Sequence, residues 1–141
     1  MQYKINYIKL NNFNFDEIVD FIKKRADFFQ VIDSEKIVSE IQIVNALKKT
    51  KRFYERNKRV KLKENLFLIY ISYTKQIDDA IRISGIKYNS KNGIVIYNNV
   101  DDFNDLLNIP GIEKASRNIP YDNPDMDKIV FSDMSYMDLV L

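Results

Sequence analysis

The chain has 141 residues, 45% of them hydrophobic and 30% charged, with a formal net charge of +2. That balance belongs to a folding, soluble domain and excludes disorder over most of its length. Cys, His and Trp are absent, which excludes disulfides, zinc on Cys or His ligands, thiol nucleophiles, Ser-His-Asp triads and His-ligated haem.

The first segment alternates, with Tyr3, Ile5 and Tyr7 on one side and Lys4 and Asn6 on the other, and reads as a half-buried strand. Asn14 with Glu17 three residues on has the form of a capping box, and Ile18, Phe21, Ile22 and Arg25 follow at helical spacing. Phe28-Phe29-Gln30-Val31-Ile32 reads as a second strand. Asp33-Ser34 is positioned to cap a helix whose apolar stripe is Ile37, Ile41 and Val44. From Leu66 to Tyr73 the chain is apolar nearly all round, and without turn residues it reads as a buried helix. Thr74 is expected to cap a short helix through Ile77, Ala80 and Ile81, with Gly85 in the left-handed position that ends it. Asn92-Gly93 is a turn signal and Ile94-Val95-Ile96-Tyr97 a strand. Asp101-Asp102 opens a helix through Phe103, Leu106 and Leu107, stopped by Pro110. Met126, Ile129, Val130, Met134, Met137 and Leu141 mark one face of a terminal helix.

Few strands among many helices, without regular alternation, predict an α+β fold: a single compact domain over 1–141, a small sheet packed with several helices, and a helical C-terminus. No apolar run reaches the length of a membrane span and the first residues carry no secretory core, so a cytoplasmic location is expected.

Charge is unevenly spread. Lys48, Lys49, Lys51, Arg52, Arg56, Lys58, Arg59, Lys61 and Lys63 are crowded into one segment against a single acid, Glu55, while the chain beyond residue 98 is rich in Asp. A basic run interleaved with Phe53 and Tyr54 is suited to neutralising phosphates and stacking unpaired bases. The alternative is a solvated helix end, or cations placed at the negative end of a helix dipole, although nine cations with one acid is heavy for that role. The pairs Asp101-Asp102 and Asp125-Asp127 are placed as helix caps rather than as catalytic carboxylates or magnesium ligands. The three glycines are isolated and form no phosphate loop. The Met-rich terminal stripe suits either a core or a partner's groove.

Glu64 to Lys87 carries a more specific pattern. An apolar helix follows Glu64, then come Lys75-Gln76-Ile77, Ala80, Gly85 and Ile86. This segment resembles the signature of the PRPK-binding protein (TPRKB) family, the small kinase-binding subunits of the KEOPS complex. Val31-Ile32-Asp33, the helix through Ile41 to Leu47, the basic stretch and Ile94-Val95-Ile96 follow the family's order. The chain departs from the family at Ile43, Val44 and Asn45, where a His or small residues are usual, and in a denser basic stretch.

The resemblance implies a non-catalytic subunit without a cofactor. Its complex installs threonylcarbamoyl on the adenosine beside the tRNA anticodon. The subunit itself binds and stimulates the small kinase-like ATPase subunit and captures the single-stranded 3′ end of tRNA. On that expectation Lys51, Arg52, Arg56, Arg59, Lys61 and Lys63 hold phosphates, and Lys75, Gln76 and Ile77 line a pocket beside them. Gly85 permits a close backbone approach, and Ile129, Val130, Met134, Met137 and Leu141 dock the partner. The rival expectation is a free-standing RNA-binding domain that has no kinase partner.

Overall fold

A computed structural model describes residues 3–56 and 63–119. In chain order these form β1 (Lys4–Leu10), α1 (Phe15–Lys23), β2 (Phe29–Asp33), a 3-10 turn (Ser34–Lys36), α2 (Glu40–Arg56), α3 (Lys63–Ser72), α4 (Ile77–Ser84), β3 (Asn92–Tyr97), α5 (Val100–Leu106) and β4 (Ile112–Ala115). Four strands with five helices make the α+β class expected from the sequence. The terminal helix expected from Met126 onward lies outside the described residues. The described chain falls into two compact units. One comprises 3–34 and Ile86–Asn118, and the other comprises 35–56 and 63–85 together with Ile119.

The first unit is built on an antiparallel sheet of order β2-β3-β1-β4. Of its two inner strands, β3 is β-branched and aromatic, and Ile94, Val95, Ile96 and Tyr97 are all buried. Val95 and Tyr97 share a core with Ile8 and Leu10 of β1, Phe29 and Val31 of β2, Ile18 of α1 and Phe103 and Leu106 of α5. Tyr97 stacks on Phe103 with ring centroids 5.1 Å apart and donates its hydroxyl hydrogen to Asn6 Oδ1. Each such side chain contributes about 1.5–3 kcal/mol through burial.

Both helices of this unit are capped by asparagine. Asn14 Oδ1 accepts from Glu17 N at 3.2 Å, as the capping pattern predicts. At α5 the cap is Asn99, whose Oδ1 accepts from Asp101 N at 3.0 Å. Asp101 and Asp102 therefore sit in the first turn, where the helix dipole favours them, and are not the cap itself.

Asn92-Gly93 is not a turn. Gly93 lies inside β3, paired with Ile8 and Asp33, and a Cβ there would stand 3.1 Å from Ile8 Cγ1. The reversal is made earlier, over residues 87–90: Ser90 N donates to Lys87 O, and Ser90 Oγ accepts from Lys87 N. The short strand β4, with exposed Glu113 and Lys114, carries no strand pattern and exists through its pairing with β1.

In the second unit, α2 and α3 form an antiparallel hairpin. Gln42 Nε2 near the start of α2 donates to Ile71 O near the end of α3 at 3.1 Å. At the other end, the Lys63 ammonium lies 4.2 Å from the Tyr54 ring centroid. Of the expected stripe of Ile37, Ile41 and Val44, Ile37 is fully buried but precedes the helix, and the other two are turned outward. The helix begins at Glu40 and buries Ile43, Ala46, Leu47 and Thr50, leaving Ile41 and Val44 38% and 37% exposed. The inward polar groups make this register possible: Gln42 Oε1 accepts from Val38 N at 2.9 Å, and Thr50 Oγ1 donates to Ala46 O at 2.7 Å.

α3 is buried nearly all round, as its composition predicts. It ends at Tyr73, whose φ is +56°. Thr74 does not cap α4. Gln76 holds the cap position, and Thr74 Oγ1 accepts from Gln76 N at 3.4 Å. Gly85 is extended (φ −66°, ψ 155°) rather than left-handed. A glycine suits the position because a Cβ would lie 2.5 Å from Ile81 O.

Candidate functional site

The basic run begins in the C-terminal half of α2 and continues past its end in sequence. Lys48, Arg52 and Arg56 are four residues apart and so form one stripe rising about 6 Å per step along the helix. All three are exposed, as is Lys51 beside them. Like charges at this spacing repel by a few tenths of a kcal/mol per pair, offset in part by the negative end of the helix dipole. A polyanion laid along the stripe would relieve the rest. Tyr54 and Phe53 are half-buried next to it, and the half-buried Lys63 packs its ammonium on the Tyr54 face. Arg59 and Lys61 lie outside the described residues.

Lys75, Gln76 and Ile77 are not brought to this end. They come after α3, and the hairpin places the end of α3 beside the start of α2. α3 has 10 residues, so about 15 Å of helix separates them from the cationic stripe. Lys75 and Gln76 are exposed and Ile77 half-buried. Asp78 and Asp79 occupy the first turn of α4, so its N-terminal dipole is already matched by carboxylates and resists a further anion. Gly85 is buried against its own helix, its approach being to Ile81 O. Ile129, Val130, Met134, Met137 and Leu141 lie outside the described residues.

The outward pair Ile41 and Val44 lies one to two turns N-terminal of the cationic stripe on α2. The signal for this orientation was present in the spacing of Ile43, Ala46, Leu47 and Thr50, which claims the inner face and turns Ile41 and Val44 outward. In the first unit, burial raises the Asp102 carboxyl above its ordinary value. Arg25, 3.6 Å away, pulls it back, while Asp27, Asp105 and Asp101 push it further up. Burial also raises the Tyr97 hydroxyl. Among the described residues no group of three or more carboxylates is placed to hold a metal ion, and no helix is long and apolar enough to cross a membrane.

Residues 10–135 match the sequence model of a family described as kinase binding protein CGI-121. No curated protein sequence matches the chain.

Proposed function

The chain belongs to the CGI-121 family of kinase-binding proteins, and from that premise we propose that it is the non-catalytic KEOPS subunit that binds and stimulates the small kinase-like ATPase subunit and captures tRNA by its 3′ end in the cytoplasm. The cationic stripe of Lys48, Arg52 and Arg56 on α2, continued in sequence by Arg59, Lys61 and Lys63, is the observation that supports the RNA half. It supplies phosphate neutralisation with aromatic side chains at its edge, as single-stranded nucleic acid requires. Because Lys75, Gln76 and Ile77 stand a helix length away, their role is to contact a strand already held by the stripe.

The partner half rests on the family. The terminal apolar residues Ile129, Val130, Met134, Met137 and Leu141 are its proposed docking surface. The outward Ile41 and Val44 favour a second one, in which the N-terminal half of α2 also meets the kinase-like subunit. A free-standing RNA-binding domain would have no use for that apolar pair.

Size-exclusion chromatography of the chain mixed with the kinase-like subunit tests the reading. A stoichiometric complex at micromolar concentration is expected. The double variant Ile41→Asp with Val44→Asp should weaken it if α2 contributes, and Met137→Arg should weaken it if the terminal segment does. Separate peaks for the unsubstituted proteins would remove the partner half.

A further inference from the structure

Tyr88 is 79% exposed, more than any other large apolar side chain among the described residues. On a loose loop that would be ordinary, but the segment carrying it is held from within. Ser90 is buried, and its Oγ donates to Asp33 Oδ2 at 2.7 Å while accepting from Lys87 N at 2.9 Å. Lys91 O accepts from Leu10 N at 2.9 Å.

The facing segment is fixed as firmly. Asn11 N donates to Gly111 O at 2.9 Å. Gly111 has φ +88°, and a Cβ on it would stand 2.5 Å from Asn11 O, so the glycine is what lets the two strands of chain approach. Between these walls lies a cleft of about 320 Å³. That is the lower end of the range for small-ligand sites and enough for one base with its sugar.

We propose that this cleft is a nucleobase subsite, with Tyr88 as its stacking platform. Asn11, Asn12 and Asn89 line it, and each carries a side-chain amide with a donor and an acceptor for the edge of an unpaired base. Lys91 stands in the same lining as a phosphate counter-charge, and the lining holds no carboxylate to repel one. A neutral sugar would use the amides and the ring but leave Lys91 idle, whereas a nucleotide uses all three. Because both walls are pinned without the ligand, little ordering cost attends binding. The subsite is distinct from the α2 stripe and rests on the RNA reading only for the polymer that delivers the base.

The absence of Trp from the sequence supplies the test. Tyr88→Trp installs a sole tryptophan at the platform, to be titrated with CMP, with AMP, with an unstructured RNA hexamer and with maltotriose. Saturable quenching by the nucleotides and the hexamer is expected, and none by maltotriose. In parallel, Tyr88→Ala should weaken hexamer binding by about tenfold or more, and Tyr88→Phe should retain it.

Nucleotide quenching that persists in an Arg52→Glu, Arg56→Glu background supports a site independent of the stripe. Quenching by mononucleotides in a chain that does not bind tRNA would sink tRNA capture and leave the subsite standing. If tRNA binds but neither the tryptophan emission of Tyr88→Trp nor the affinity of Tyr88→Ala changes, the subsite is overturned. Quenching by maltotriose alone overturns it too.

Discussion

At Gly85 the backbone angles are ones any residue adopts, so the demand for glycine is one of space. A Cβ would stand 2.5 Å from the Ile81 carbonyl oxygen, inside contact distance, and backbone cannot swing aside. Gly85→Ala should cost about 1–3 kcal/mol, read as a lower urea midpoint with an unchanged slope. Gly93→Ala should cost less, because its nearest neighbours, Cγ1 and Cδ1 of Ile8, stand at 3.1 and 3.2 Å and need give by only a few tenths of an ångström. The reverse order would contradict the geometry.

Asp102 is a second residue whose surroundings make a prediction. Its side chain is 14% exposed, and burial raises its carboxyl more than Arg25 lowers it. The folded state then holds the proton more tightly than the unfolded one. Stability attributable to this group therefore falls as pH rises from its ordinary value through the raised one. Asp102→Asn should flatten that fall, so the variant gains on the wild type in thermal midpoint as pH rises out of the ordinary carboxylate range. If the wild type gains instead, the Arg25 ion pair outweighs the burial.

At the scale of elements, α2 shows how a polar residue can set a helix's register. Choosing the most apolar side chains gives Ile37, Ile41 and Val44. The structure instead buries Gln42, whose amide accepts from Val38 N and donates to Ile71 O, tying the start of α2 to the end of α3. Gln42→Ala leaves both backbone partners unpaired and should cost about 1–3 kcal/mol. Ile41→Ala, one residue away and outward, should stay within about 0.5 kcal/mol. Chemical denaturation of the two variants checks the register, and equal costs would refute it.

Local patterns were legible in the sequence: the Asn14 cap, the first strand, the buried α3 and the cationic run, although the buried residues of that strand, Ile8 and Leu10, lie on the face of Lys4 and Asn6 and not on that of Tyr3, Ile5 and Tyr7. Features decided by distant pairing were not. β4 forms only because β1 offers it an edge, and Gly93 enters a strand because Ile8 and Asp33 pair with it. The separation of Lys75, Gln76 and Ile77 from the stripe results from the direction of a hairpin, which no local spacing encodes.

For the whole molecule, the small net charge of +2 conceals a concentrated polycation, and its ligand should show itself through salt. Each phosphate contact on a single strand contributes about −0.7 to the slope of log affinity against log salt. Lys51→Gln, Arg52→Gln and Arg56→Gln together remove up to three contacts, so the slope for tRNA should become shallower by roughly 2. Because these side chains are exposed on α2, the fold should tolerate the change.

Lys75→Gln supplies the second half of the experiment. If the bound strand runs the length of the α2–α3 hairpin, that single change should also reduce the slope, by roughly 0.7. An unchanged slope with Lys75→Gln would confine the RNA to the basic end. Co-elution with the kinase-like subunit, measured on the same variants, should be unaffected, since the apolar pair Ile41 and Val44 is left in place. Loss of that complex in the triple variant would mean that the cations face the kinase, and the stripe would then have to be reassigned from RNA to protein.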